Sequence, residues 1–372
     1  MTPLSVRSLP VGFRLPYGPR AMATVRIGIN GLGRIGRLVV RHALLRQLDP
    51  ARSGQVRGGS SIEIVAANDL ASIEQLAYLL GHDSVHRCNM PKVEVSGNSL
   101  QVGSFKIAIS SERDPAKIPW AEHKVDMVIE STGVFTKREG MALHRANPDG
   151  PSHVILGAPG KGVDRTVVIG VNEETLDPKN DRLISNASCT TNALAPVMSV
   201  LHKAFGVRWG LMSTTHAYTG GQGLIDTISK KDLRRGRAAG VNLVPTSTGA
   251  AKALGLVIPE LKGKVDGQAV RVPVPDGSLY EITCTLDGAP TLDRVLEALR
   301  EGAASERLRG VLDVRKEPLV SSDILGDPHS SIVDVDACQA MGPLIRIVGW
   351  YDNEWGYAGR LLDLANLIAA GR

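Results

Sequence analysis

Residues 28–36 read GINGLGRIG (Gly28–Gly36), after the β-branched run TVRIG (Thr24–Gly28) and before the helical pattern RLVVRHALLRQL. A short buried strand therefore enters a glycine-rich turn and leaves it as a helix. Gly31, Gly33 and Gly36 make a G-x-G-x-x-G in the strand-to-helix setting that gives the motif meaning. Gly31 allows a tight turn, Gly33 lets a pyrophosphate approach the backbone, and Gly36 lets helix and strand pack closely. The amides of Arg34 and Ile35, at the helix N-terminus, are the expected phosphate donors.

The next strand-like run, SIEIVAANDL (Ser61–Leu70), ends in Asn68-Asp69. A carboxylate at the end of a second strand is where a dinucleotide-binding unit grips the adenosine ribose, and it repels a 2′-phosphate. Asp69 therefore favours NAD over NADP. A plainer reading makes Asp69 a turn or cap residue for the helix ASIEQLAYLL. Asp69 lies farther from Gly36 than the usual separation of roughly 20 residues. The polar stretch DPARSGQVRGGSS (Asp49–Ser61) reads as the surface insertion responsible. VDMVIESTG (Val125–Gly133), HVILGAPG (His153–Gly160) and TVVIGV (Thr166–Val171) are further buried strands, suited to a parallel sheet covered on both faces. Ser131, Thr132 and Gly133 sit at a strand C-terminus, where ligands bind. Arg113, in the turn ERDP, is a candidate for the adenine side.

In the second half, SNASCTTN (Ser185–Asn192) places Cys189 between the strand-like RLISN and the helix-like ALAPVMSVLHKAFG. A sulfur at a helix N-terminus is favoured as thiolate, and Ser188, Thr190 and Thr191 are hydroxyl donors for an anion. Cys88, Cys284 and Cys338 have no such setting and read as inert. His216 lies on the strand GVRWGLMSTTHAYTGG (Gly206–Gly221), dense in hydroxyls. A thiol and an imidazole form an ion pair that activates the sulfur, after which the ring serves as general base and acid. Thr248-Gly249 heads the helix TSTGAAKALG and suits an anion. Arg271, in QAVRVPVPDGSLYEITCTL, is a fixed positive charge suited to phosphate.

The chain has 372 residues, enough for two cores, with 43% hydrophobic and 22% charged residues, as in an ordinary globular protein. No apolar stretch approaches the roughly 18 residues of a membrane span. The scattered cysteines form no CxxC, so neither a zinc site nor a disulfide framework is indicated, and a reduced, intracellular setting, expected to be the cytoplasm, fits. Three of the five net positive charges belong to Arg7, Arg14 and Arg20, in a proline-rich, non-periodic segment 1–22 that reads as a disordered tail. An unused upstream start before Met22 is the favoured account of that tail. A transit peptide, which would make the protein organellar, and a flexible arm are the alternatives.

GINGLGRIG, AAND, SNASCTTN, HAYT, TSTGAAKALG, RVPVP and WYDNEWGY together resemble phosphorylating glyceraldehyde-3-phosphate dehydrogenase, from about Ala23 to the C-terminus. The resemblance implies an α/β chain: a Rossmann-type dinucleotide-binding domain (23–188), an α+β catalytic domain with a largely antiparallel sheet (189–352), and a last helix (353–372) returning to the first. It implies that Cys189 attacks the aldehyde of glyceraldehyde 3-phosphate, while His216 takes the proton and, with the Cys189 amide, steadies the oxyanion. Hydride passes to NAD, and inorganic phosphate attacks the resulting thioester to give 1,3-bisphosphoglycerate. Thr219 and Arg271 would hold the substrate phosphate. Ser188, Thr190, Thr248 and Gly249 would hold the attacking one. Asn353 would orient the nicotinamide carboxamide beside Tyr357, and an S-shaped loop (Tyr218–Asn242) would line a neighbour's cofactor site in a homotetramer.

This sequence departs from the family pattern at Ala193, where a second cysteine is common, and at Gly221, Gly157 and Thr227-Ile228. Weaker phosphate binding is expected from Gly221, and NAD preference then rests chiefly on Asp69. Two alternatives compete. Erythrose-4-phosphate dehydrogenase shares the chemistry, but Asp69 and Thr219 favour glyceraldehyde 3-phosphate. A non-catalytic nucleic-acid-binding role has only the basic run KKDLRRGR (Lys230–Arg237), without interleaved aromatics, so nucleic acid is not expected.

Overall fold

A computed structural model of the chain describes residues 24–48, 61–87, 90–229 and 232–371. The segment 1–22, nearly all of the 49–61 insertion, Cys88 and the lysine pair 230–231 lie outside the described residues.

The first half supplies β1 (Val25–Asn30), α1 (Arg34–Leu48), β2 (Ile62–Asn68), α2 (Ile73–Gly81), β3 (Val93–Ser96), β4 (Ser99–Val102) and β5 (Phe105–Ser110). It continues with β6 (Met127–Glu130), α3 (Arg138–Ala142), β7 (His153–Leu156), β8 (Arg165–Thr166) and β9 (Leu183–Ser185). These strands form one sheet in the order β3-β4-β5-β2-β1-β6-β7-β9-β8. From β5 to β8 the pairing is parallel; β3 and β4 add an antiparallel edge that the sequence reading did not anticipate. Every residue of β6 and β7 is buried, as a sheet covered on both faces requires. The expected strand 166–171 is corrected: only Arg165–Thr166 pairs, and the apolar residues after it form a buried turn through Gly170 at φ +87°. Burial alone does not distinguish an apolar turn from a strand.

The second half supplies α4 (Cys189–Phe205), β10 (Val207–Ala217), β11 (Val244–Ser247), α5 (Ala250–Val257), β12 (Val265–Val272) and β13 (Ser278–Leu286). There follow α6 (Leu292–Ala304), β14 (Leu312–Arg315), β15 (Ser331–Asp334), β16 (Gln339–Met341), β17 (Leu344–Tyr351) and α7 (Trp355–Ala370). Its sheet runs β11-β12-β10-β13-β17-β15-β14, with β16 beside β17. Only β10/β12 and β14/β15 are parallel. Along β13 burial alternates strictly, with Ser278, Tyr280, Ile282, Cys284 and Leu286 inward. That period-two pattern gives the sheet one face for helices and one left open.

α4 and α7 join the halves. One apolar core runs from β1 and α1 through α4 (Ala193, Leu194, Val197) to β13 and α7 (Leu361, Leu364, Ile368). α7 lies on α1, where Asp363 pairs ionically with Arg46 and Arg360, each at 2.9 Å, and His42 Nε2 meets the Trp355 carbonyl at 2.8 Å. Both sheets therefore deliver their ligand-facing loops to the start of α4.

Candidate active site

The turn after β1 has no room for side chains at two of its glycines. A Cβ on Gly36 would stand 2.0 Å from the Gly31 carbonyl oxygen, and one on Gly31, at φ +93°, would meet Thr132 at 2.9 Å. A Cβ on Gly33 would meet nothing within 4 Å. The turn is thus closed toward the protein and open at Gly33, a cradle shaped for a group approaching the first amides of α1. Asp69 orders this cradle from β2: Oδ2 accepts the Leu32 amide at 2.7 Å and Oδ1 the Ala71 amide at 3.0 Å. The helix cap itself is Ser72, in a capping box with Gln75. Asp69 remains part-exposed, with lone pairs left for a ligand hydroxyl.

Ser131 and Thr132 stand at the C-terminal end of β6, but their hydroxyls turn inward. Ser131 Oγ donates to the Gly31 carbonyl at 2.7 Å, and Thr132 Oγ1 donates to Glu130 at 2.5 Å. Glu130, fully buried, also accepts from Asn30 Nδ2 (2.6 Å) and lies 2.9 Å from His144 Nε2. These hydroxyls hold the turn, while Thr132 as a whole stays exposed beside Gly133. Arg113 is exposed, in the turn after β5.

Cys189 is the first residue of α4. Ser188 caps the helix, its Oγ accepting the Thr191 amide at 3.0 Å and meeting Thr191 Oγ1 at 2.7 Å. Just before it, Ala187 holds φ +55°, a left-handed conformation rare for a residue with a Cβ, and buried. Its carbonyl accepts the Tyr357 hydroxyl at 2.9 Å. The chain is thus turned sharply between β9 and α4, which projects the sulfur toward the second sheet.

There, His216 near the end of β10 places Nε2 3.5 Å from Cys189 Sγ. His216 Nδ1 is 2.7 Å from the Ala217 carbonyl oxygen, and Arg271 Nη1, on the neighbouring β12, is 2.8 Å from the same oxygen. In the tautomer with its hydrogen on Nδ1 that oxygen accepts from both, and Nε2 is left to accept from the thiol. Arg271 Nη1 consequently stands only 2.7 Å from His216 Nδ1.

Although Cys189 keeps some solvent exposure, burial of its sulfur pushes the thiol pKa up, against the opposing pull of Arg271 and of the Thr190 amide and hydroxyl. Burial, then the Arg271 charge, push His216 down to about 3. Burial thus opposes the charged form of both partners, a contribution that the sequence reading, which counted only the helix terminus, left out.

Thr190 also needs correction as an open phosphate donor. It is buried, and its hydroxyl meets Tyr351 Oη at 2.9 Å, inside the domain. Tyr351 Oη meets Thr214 Oγ1 at 2.9 Å as well, and its ring stands edge-on to His216 at 5.8 Å. Ser278 Oγ links two more parts: it accepts the Ala217 amide at 3.0 Å and donates to Asn353 Oδ1 at 2.5 Å. Thr219 is part-exposed just beyond β10; Thr248 Oγ1 accepts the Ala250 amide at 3.2 Å, and Gly249 is the exposed cap of α5.

Arg235 is a residue that the sequence reading missed. Its guanidinium lies 3.5 Å from where a Cβ of Gly221 would be, near enough to Arg271 to lower the latter's pKa after burial. The Nε atoms of both arginines are buried without hydrogen-bond partners, and among the described residues neither has an ion pair to a carboxylate. The only signal was the run KKDLRRGR, in which an inward arginine looks like its solvated neighbours. Tyr351, Ser278 and Glu130 gave no signal of their own.

A charged joint ties the two halves behind the site. Arg34, at the start of α1, donates to Glu354 and to Asp83 Oδ2 (2.7 Å). Buried His86 meets Asp352 at 2.9 Å and Asp276 at 3.1 Å. Burial would lower this imidazole, but the two carboxylates outweigh it and raise it to about 10.

Comparison with known proteins agrees with this geometry. Residues 25–138 match the family described as glyceraldehyde 3-phosphate dehydrogenase, NAD binding domain, and residues 188–353 match its C-terminal domain. The chain is 48% identical over 348 residues to glyceraldehyde-3-phosphate dehydrogenase 2 of Streptomyces arenae, covering 93% of this chain and 99% of the relative. It is 46% identical over 346 residues to glyceraldehyde-3-phosphate dehydrogenase 1 of Bacillus subtilis, and 47% over 347 residues to the Geobacillus stearothermophilus enzyme, each covering 93% of this chain and 98% of the relative.

Proposed function

We infer the reaction from one premise: this chain belongs to the glyceraldehyde-3-phosphate dehydrogenase family. It is an NAD-dependent oxidoreductase of glycolysis whose substrates are glyceraldehyde 3-phosphate and inorganic phosphate. The observation that carries the residue assignment is the Cys189 sulfur 3.5 Å from His216 Nε2 at the start of α4.

In the proposed course Cys189 attacks the aldehyde carbon as His216 Nε2 takes its proton, giving a thiohemiacetal. The imidazolium and the Cys189 amide then face the oxyanion. NAD, when bound, supplies the acceptor for the hydride that leaves this carbon. His216 first gives its proton to the oxyanion, then takes it back from the resulting hydroxyl as the hydride leaves and releases it to solvent, so that a thioester on Cys189 results and the ring is neutral again. Inorganic phosphate, received by Ser188, Thr248 and Gly249, attacks the thioester carbonyl; the C–S bond breaks, the acyl phosphate leaves, and Cys189 is freed as thiolate. Arg271, Thr219 and Arg235 receive the phosphate carried by the substrate. The open cradle at Gly33 fits a pyrophosphate on the amides of Arg34 and Ile35, with Asp69 for the ribose and Asn353 and Tyr357 for the nicotinamide end. The proposed units are 23–188 for the cofactor, 189–352 for catalysis, and 353–372 returning to the first.

Purified protein should reduce NAD with glyceraldehyde 3-phosphate only when phosphate or arsenate is present, and erythrose 4-phosphate should be the poorer aldehyde. NADP should be the poorer cofactor, and Asp69→Ala should narrow that gap by about tenfold, the weight of one ribose-binding hydrogen-bonded contact. Equal use of both cofactors by the unchanged enzyme would remove Asp69 from its role.

A homotetramer is the proposed assembly. Leu224, Ile225, Ile228, Leu233, Val241 and Leu243 are exposed in the loop before β11, and Trp209 and Leu211 on the open face of the second sheet. Two separate apolar surfaces suit two kinds of twofold contact. Sedimentation should give about four times the 39.6 kDa chain mass; a monomer would contradict the assembly. No helix among the described residues is long and apolar enough to cross a membrane, and the proposed location is the cytoplasm.

A further inference from the structure

We propose that Glu130 is a positioning residue of the dinucleotide site: it anchors a row of buried hydrogen bonds across four strand ends and so sets where Asp69 and the Gly31 turn stand. The inference rests on the reading above that Asp69 and that turn receive the dinucleotide.

Ser110, Asn68, Asn30 and Glu130 are the last residues of β5, β2, β1 and β6, four neighbours in the parallel part of the first sheet. The register places them side by side: Ser110 against Asn68, Asn68 against Asn30, and Asn30 against Glu130. A polar row in a sheet covered on both faces is costly unless its groups are paired. Here each link is made. Ser110 Oγ donates to Asn68 Oδ1 at 2.9 Å, Asn68 Nδ2 to Asn30 Oδ1 at 2.9 Å, and Asn30 Nδ2 to Glu130 Oε2 at 2.6 Å.

The direction of the row is fixed from both ends. The Glu112 amide donates to Asn68 Oδ1 at 2.7 Å, so the Asn68 nitrogen faces Asn30, and the Asn30 nitrogen must then face Glu130. From the other side Trp120 Nε1, which can only donate, meets His144 Nδ1 at 3.1 Å. That leaves His144 Nε2 to donate to Glu130 Oε2 at 2.9 Å. The Thr132 amide and hydroxyl donate to Oε1 at 2.8 and 2.5 Å. Four donors thus converge on a fully buried side chain. A carboxylate accepts from all of them; a carboxamide of the same shape cannot.

The residues just after the row make up the proposed site. The Gly31 amide donates to the Asn68 carbonyl at 2.8 Å, the Ser131 amide to the Asn30 carbonyl at 2.8 Å, and the Asp69 amide to the Ser110 carbonyl at 3.1 Å. Asp69 Oδ2 in turn holds the Leu32 amide, and Thr132 walls the turn at Gly31. A disturbance at Glu130 is therefore passed to Asp69 and the turn. Cys189 on α4 and His216 on β10 lie outside the row.

The test uses the intact enzyme and ADP-ribose, the dinucleotide without its nicotinamide end. Glu130→Gln keeps the shape but turns an N–H toward donors whichever way its amide lies. Its dissociation constant for ADP-ribose, by calorimetry, should rise roughly tenfold. KM for NAD should rise in step, while kcat at saturating NAD stays within about twofold. In an Asp69→Ala background the same substitution should cost no more than about threefold, because the residue being positioned is gone. An equal loss in both backgrounds, or a kcat that falls as far as the affinity, means general loosening and overturns the positioning role. So does unchanged ADP-ribose binding by Glu130→Gln when Asp69→Ala alone weakens it. If instead Asp69→Ala binds ADP-ribose as the unmodified enzyme does, the dinucleotide reading of Asp69 fails and this inference with it. Should Glu130→Gln not fold, Asn30→Ser, which cuts the row at its middle, decides. A rise of at least about threefold supports the role, and an unchanged affinity overturns it.

Discussion

Replacing Cys189 by serine should lower NAD-dependent oxidation of glyceraldehyde 3-phosphate by at least about 10⁴-fold, while NAD binding and thermal unfolding stay near those of the unmodified protein. Serine keeps the size and place of the side chain at the first residue of α4. Its hydroxyl is far harder to ionise than a thiol, and an oxygen ester would replace the thioester that phosphate must attack. The Ser188 cap and the left-handed Ala187 do not depend on the sulfur, so the turn should persist. Steady-state kinetics, an NAD titration by fluorescence and a melting curve together check this. Turnover within tenfold of the unmodified enzyme would rule out the covalent course.

His216→Asn comes next in size, with an expected loss of about 10²- to 10⁴-fold in kcat, the usual reach of a positioned base and acid. Asparagine can still donate to the Ala217 carbonyl but offers no nitrogen basic enough to accept the thiol proton. The acidic limb of the pH–rate profile should move to higher pH, because the thiol, already raised by burial, must then ionise unaided. Stability supplies an independent sign. The folded pKa of His216 is about 3, below the unfolded value of 6.5, so as pH falls between them the unfolded chain binds the proton first and stability is lost. The asparagine variant lacks that loss and should gain stability relative to the unmodified protein as pH falls below 6.5. An unshifted kinetic limb in His216→Asn would exclude the ring as the base.

Much of this site was legible because its chemistry is written into local patterns. GINGLGRIG announced a strand, a tight turn and a helix within nine consecutive positions, and SNASCTTN put a cysteine at a helix start. Such signals need only neighbours in sequence. What stayed hidden depends on long-range packing. Whether Thr190 faces solvent or Tyr351 is decided by a strand far along the chain, and so is the burial that opposes charge on Cys189 and His216. Arg235 was concealed by its own neighbours, since a basic run carries no mark for the one side chain that turns inward. The apolar run 166–171 misled because a buried turn satisfies the same hydrophobic pattern as a strand.

The joint of Arg34 with Glu354 and Asp83, and of His86 with Asp352 and Asp276, bears on how the coenzyme comes and goes. Arg34 begins α1 and Glu354 follows Asn353, at the two ends of the proposed coenzyme site. Prising the two lobes apart would expose three or more buried ions at once, each stripped of its partner. Separating the lobes as rigid bodies is therefore costly, and the joint should hold the two halves together while the coenzyme exchanges.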